Sequence, residues 1–203
     1  EFRYINAAPV LNEFVIEGVF AIDEIVGADY TYYDVESNPQ GTHSFQWYRS
    51  TTGTWSNKQA ISGATNEQYT ILAVDTNYYI GLEAVAYANS GSSPGQVQQS
   101  EWYRVSKLPS AVISGDIEIC EGSTDTLNVT LTGSNAPWAF RYVIEGTIDT
   151  IGVSTSNSNY KLQVKKEGTY LLVDVSDQEF DFGFVTGTGS VSFFPQPTAE
   201  LTV

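Results

Sequence analysis

Apolar residues recur with period 2 through most of this chain, and that alternation excludes helical architectures before any motif is considered. Phe45 and Trp47 alternate with Gln46 and Tyr48, and Leu127, Val129 and Leu131 alternate with Asn128, Thr130 and Thr132. Turn signals separate such runs at Asn38-Pro39-Gln40-Gly41, Thr52-Gly53, Ser62-Gly63, Ser90-Gly91, Pro94-Gly95, Gly133-Ser134, Glu145-Gly146 and Glu167-Gly168. β-branched residues and glycine interrupt every helical candidate, so a single turn near Ala73-Val74-Asp75 is the most helix expected. The pattern predicts an all-β chain of half-buried strands joined by short turns.

With 203 residues, two domains fit better than one, and the best boundary is Lys107-Leu108-Pro109-Ser110. Proline cannot donate to a ladder, and a new strand pattern, Ala111-Val112-Ile113, begins just past it. Splitting there gives residues 1–108 and 109–203, with formal charges of −7 and −8. Each half has about seven strand candidates and a Trp in an early-middle strand, Trp47 and Trp138, both expected in the core. The expectation is two consecutive immunoglobulin-like β-sandwiches joined by a short linker.

Charge and composition remove several function classes. A net charge of −15 opposes a sequence-independent grip on nucleic acid or anionic lipid. One Cys cannot form an internal disulfide, and one His with no Met leaves little for imidazole or transition-metal chemistry. Charged residues at 16%, against a usual ~25%, together with 17 Gly and 13 Tyr, point to a secreted β protein. No stretch reaches 18 consecutive apolar residues, so no membrane insertion is expected. Beginning Glu1-Phe2-Arg3-Tyr4 without Met, the chain reads as a processed fragment of something longer, with targeting information elsewhere.

The first half contains Gly41-Thr42-His43-Ser44-Phe45-Gln46-Trp47-Tyr48-Arg49, then Ala60-Ile61-Ser62-Gly63-Ala64-Thr65, Tyr69-Thr70, and Asp75 to Ile80. It resembles bacterial Ig-like repeats with an FQWYR-type strand and an ISGAT turn over most of residues 8–105. The second half, with Ile119-Cys120-Glu121-Gly122, Ala136-Pro137-Trp138, Glu167-Gly168-Thr169-Tyr170 and Val175-Ser176-Asp177, is similar to Ig-like modules of large Bacteroidetes surface proteins, many exported by the type IX system. Those modules commonly carry a second Cys shortly after the VSD segment; here Phe180 stands near its place, so the family's disulfide is not expected. The resemblance implies a tandem spacer or adhesive segment on the bacterial outer surface, extracellular and without catalytic residues to carry over.

Candidate chemistry is sparse. His43 is the only imidazole and no G-x-S-x-G elbow exists, so a solvated edge His is the ordinary reading and no enzyme is expected. Cys120 sits between Ile119 and Glu121, an apolar and negative setting that favours a buried or idle thiol over a nucleophile. Asp34, Glu36 and Asn38 place oxygen ligands at positions 1, 3 and 5 of a loop, a calcium candidate that lacks the Gly and the distal Glu of a calcium loop and otherwise reads as a solvated turn. Asp174, Asp177, Glu179 and Asp181 form a second acidic run, read as edge-protecting surface. Trp55, in a polar hairpin, and Tyr30, Tyr32 and Tyr33, on both faces of one strand, are candidates for stacking on sugar rings. Tyr170 suits a tyrosine corner, whereas Tyr79 is expected to point outward.

Two roles follow. The preferred one is a non-catalytic spacer or adhesive segment of a larger protein, partnered by its flanking domains and by a surface protein. The alternative is a carbohydrate-binding accessory module whose Trp55 and Tyr30–Tyr33 aromatics meet a polysaccharide.

Overall fold

The computed structural model describes residues 6–195, so the Glu1–Tyr4 opening lies outside them. The described chain is strands and turns, with two single 3-10 turns, Trp55–Asn57 and Ala73–Asp75, the second where a lone turn was expected. No helix is long and apolar enough to cross a membrane. The chain divides into two compact units between Lys107 and Leu108.

The first unit contains β1 (Val10–Gly18), β2 (Ile25–Tyr33), β3 (Ser44–Ser50), β4 (Gln59–Ala60), β5 (Gln68–Thr70), β6 (Tyr79–Val85), β7 (Val97–Gln99) and β8 (Tyr103–Arg104). One sheet runs β1-β2-β5 and the other β4-β3-β6-β7, with β8 also on β6. Alternation on β3 and β6 sends Trp47, Ile80, Leu82 and Ala84 inward, where Val26, Ile71 and Val105 meet them. Trp47 is 0% exposed, and its Nε1 donates to the Asn66 carbonyl at 2.8 Å, so its one polar atom is satisfied.

A buried carboxylate closes the corner before β6. Asp75 is 0% exposed and accepts hydrogen bonds from the Tyr69 hydroxyl at 2.5 Å and the Leu72 amide at 3.0 Å. The Arg49 guanidinium stands 3.4 Å from its other oxygen. Burial, and then the hydrogen bond to Asp75, raise the Tyr69 phenol well above its ordinary value, against the opposing charge of Arg49.

The second unit contains β9 (Ser110–Ser114), β10 (Asp116–Ile119), β11 (Asp125–Thr132), β12 (Trp138–Ile144), β13 (Ile151–Thr155), β14 (Asn159–Val164), β15 (Gly168–Ser176), β16 (Phe184–Thr186) and β17 (Thr188–Phe193). Its sheets run β10-β17-β15-β12-β13 and β14-β11-β9-β16. The first and last strands of this unit each cross from one sheet to the other, at Gly115 (φ +128°) between β9 and β10 and at Gly187 (φ +80°) between β16 and β17. A side chain at Gly187 would also meet the Ile113 carbonyl at 2.2 Å, so glycine is needed there for space as well as conformation.

Phe140 (1% exposed), not Trp138, is the core ring of β12. Both point inward by alternation, but Trp138 begins the strand, pairs with Thr155 and is only partly buried at the margin of the cluster. Cys120 is exposed rather than buried, because Ile119 takes the inward position of the pair. The tyrosine corner forms at Tyr170, whose hydroxyl donates to the Lys166 carbonyl at 2.9 Å. Tyr79 makes no such corner; it lies half-buried on the face opposite Ile80, its ring over Gly53. Tyr170→Phe is expected to cost the second unit about 1 kcal/mol in urea denaturation, with an unchanged slope.

Candidate functional site

The outer face of β3 and β6 carries the densest group of aromatic and polar side chains in the first unit. Trp55, held on its 3-10 turn, packs on Trp102 with ring centroids 4.6 Å apart and edge-on to Tyr48 at 5.9 Å. Trp102 lies across Gly81, where a Cβ would meet the indole at 2.9 Å, so a missing side chain on β6 makes its seat. The Lys58 ammonium sits 4.5 Å from the Tyr48 ring centroid and 5.6 Å from that of Trp55, and it pairs with Glu83. Gln99 donates to the same Glu83 oxygen at 2.7 Å. Burial pushes Glu83 up, but the hydrogen bonds from Lys58, Gln99 and Tyr48 outweigh it and leave the carboxyl below its usual value.

Trp55 is therefore half-buried among partners that local sequence does not show. Trp102 and Lys58 were missed, since Trp102 falls just before a two-residue strand with no alternation to read. The one available signal was Gly81, a glycine inside an otherwise regular strand pattern.

Tyr30 and Tyr32 lie elsewhere, around His43. Their ring centroids are 5.5 and 5.6 Å from the imidazole, and Phe45 lies 6.5 Å from it on another side. Both tyrosines pack against the small cluster of Leu11, Ala84 and Ala86, while Tyr33, 50% exposed, faces solvent. None of the three has a ring contact with Trp55, so the aromatic candidates form two groups rather than one platform.

His43 is half-buried, not a solvated edge residue. The Tyr87 amide donates to Nδ1 at 3.1 Å, which requires a lone pair there and puts the proton on Nε2; the Gln40 side-chain amide, 3.0 Å away, then turns its oxygen to accept it. Burial lowers the imidazole below its ordinary 6.5, against the opposing charge of Glu67. The folded state thus prefers neutral His43, and the unfolded chain takes up the proton first. Stability from this group is complete above about pH 6.5 and is lost as pH falls from there toward the folded value. Denaturation of the first unit at about pH 7.5 and 5.5 should show that loss, and His43→Gln should remove it.

In the Asp34 loop each calcium candidate is engaged by protein groups. Asp34 Oδ1 accepts the Glu36 and Asn38 amides at 3.0 Å each, Glu36 accepts the Ala7 amide at 3.1 Å, and Ser90 donates to Asn38 Oδ1 at 3.3 Å. Asp34 Oδ2 is buried without a hydrogen bond. The loop is also pinned by Tyr32, whose hydroxyl donates to the Asn38 carbonyl at 3.0 Å.

The acidic run of the second unit is largely committed too. Asp174 pairs with Arg141, whose hydrogen bonds hold the carboxyl below its usual value. Asp177 Oδ1 accepts the Glu179 and Phe180 amides at 2.9 Å each, and Asn135 donates to Glu179 at 2.8 Å. Asp181 and Asp174 line an open depression of about 470 Å³ of mixed character, with Ser154, Ser176, Phe140 and Val153. No group of three or more His, Cys, Asp or Glu side chains gathers as for a metal among the described residues.

Residues 110–180, inside the second unit, match the model of the nucleoporin POM152 Ig-like domain family. Among solved structures, the chain is similar to the N-terminal eight Ig domains of Down syndrome cell adhesion molecule isoform 1.30.30, at 15% identity and a TM-score of 0.39 over 94% of this chain. The chain spans 24% of that structure's length. No curated protein matches. Paired sheets, strands that change sheet, a tyrosine corner and the family match over residues 110–180 make this an immunoglobulin-like β-sandwich chain, an architecture ordinarily used as a non-catalytic module.

Proposed function

We propose that the chain is a non-catalytic tandem module, serving as a spacer or adhesive segment of a larger bacterial cell-surface or secreted protein. The observation that carries this reading is the junction. Ser106 still donates to the Phe20 carbonyl at 3.0 Å, and β9 begins at Ser110, so only three residues separate two bonded units. The lone imidazole also supports it, because Nδ1 of His43 is occupied by the Tyr87 amide and is not free to act as a general base. Both halves are acidic, which keeps crowded copies from associating without specificity.

One observation favours a second reading, binding of carbohydrate. Tyr48, Trp55 and Trp102 put stacking surfaces beside Glu83 and Gln99, which can bond hydroxyls. Affinity electrophoresis against plant and algal polysaccharides, with and without calcium, separates the two. The spacer or protein-adhesion reading expects no retardation; retardation lost in both Trp55→Ala and Trp102→Ala would replace it with the carbohydrate reading.

A further inference from the structure

The second unit holds a cavity of about 370 Å³ that a spacer does not need. β13 and β14 are edge strands of opposite sheets, joined through residues 156–158, and the cavity lies by their far ends, Ile151 and Val164. Tyr142, Ile144 and Tyr170 complete the apolar lining, the two rings stacked at 5.9 Å. Small-molecule sites occupy about 300–1,000 Å³ and have this character, an apolar wall with a few polar groups.

Two further observations say what kind of molecule fits. The Tyr142 side chain is 7% exposed and its hydroxyl donates to no group among the described residues, whereas the Tyr170 hydroxyl is spent on Lys166. Its oxygen is not among the buried atoms left without a partner, so the hydroxyl faces the open side of the cavity, where a ligand can take its hydrogen bond in place of water. Lys165 and Lys166 line the same cavity, and neither is in an ion pair among the described residues, although this half of the chain has a formal charge of −8. Of the other two cations in this half, Arg141 is paired with Asp174 and Lys161 is bonded to Asn128.

We propose that this cavity binds a small aromatic carboxylate of arylacetate size, its ring among Tyr142, Ile144, Ile151 and Val164 and its carboxylate held by the Lys165–Lys166 pair, with the Tyr142 hydroxyl donating a hydrogen bond to it. The site is independent of the spacer reading, since it uses neither the junction nor the first unit.

The test is a titration of the full chain with indole-3-acetate, followed by amide and methyl chemical shifts. Expected are saturable shifts centred on Ile144, Ile151, Val164 and Tyr142. Indole-3-acetamide should bind about tenfold more weakly, and tryptamine, which reverses the charge, should not bind. Lys165→Gln with Lys166→Gln, both exposed positions that leave the fold intact, should abolish the preference for carboxylate over amide. Tyr142→Phe should weaken binding about fivefold while retaining that preference. Absence of saturable shifts, equal binding of tryptamine, shifts centred elsewhere, or an undiminished carboxylate preference in the double Lys variant would each overturn the proposal.

Discussion

Asp75→Ala is expected to unfold the first sandwich near room temperature or bring it close to that point, while the second keeps its own transition. The carboxylate is 0% exposed and serves two hydrogen-bond donors, the Tyr69 hydroxyl and the Leu72 amide, and one ion-pair partner, Arg49. Truncation strands all of them, and the Arg49 side chain, only 20% exposed, becomes a charge without a counter-ion. Breaking such a pair from one side costs about 3–5 kcal/mol, out of a total of about 5–15 for a domain. Replacing both charges, Asp75→Leu with Arg49→Met, should cost less than Asp75→Ala alone, since no unpaired charge is left behind. Thermal unfolding followed separately for resonances of the two units checks this. A loss under about 1 kcal/mol in Asp75→Ala would mean that the corner is held by its backbone bonds rather than by the buried ion.

Trp47→Ala should be comparably severe, at about 3–5 kcal/mol. The side chain is fully enclosed between the sheets, packs on Tyr69 at 5.6 Å and leaves both a cavity and an unpaired Asn66 carbonyl when removed. The matching change in the second unit is Phe140→Ala, not Trp138→Ala, because Trp138 is only partly buried at the end of β12. Urea denaturation of the three variants should rank Trp47 and Phe140 together and Trp138 well below them.

That ranking marks where the sequence stops being legible. Alternation gave the inward face of β3, β6 and β11, so Trp47, Leu82, Leu127 and Val129 could be placed inward without coordinates; on β1 and β15 register shifts leave Leu11 with Ile16, and Tyr170 with Val175, buried at odd spacing. It says nothing about position along a strand relative to the sheet it faces, which is why Trp138 and Phe140 could not be told apart. Asp75 read as a turn residue, since its counter-charge at Arg49 lies 26 positions earlier on another strand. Trp55 stands out in sequence for its polar surroundings, but its ring partners are Tyr48 on β3 and Trp102, and no local pattern joins them to it. The Tyr30–Tyr33 strand was seen, while its wrapping around His43 depends on pairing between segments far apart in the chain. The cavity of the second unit left no trace in sequence, because its lining comes from edge strands of two different sheets, β13 and β14, with β12 and β15, rather than from any residue spacing.

Single-molecule stretching of the chain, held between marker domains with and without reductant, tests most directly whether two self-sufficient modules stand in series. Each unit of roughly 100 residues should unfold in its own force peak and release roughly 300 Å of contour length. Because Cys120 is a free cysteine, reductant should change neither peak. A single event releasing both lengths together, or increments that lengthen when reductant is added, would contradict two independent sandwiches held by apolar burial alone.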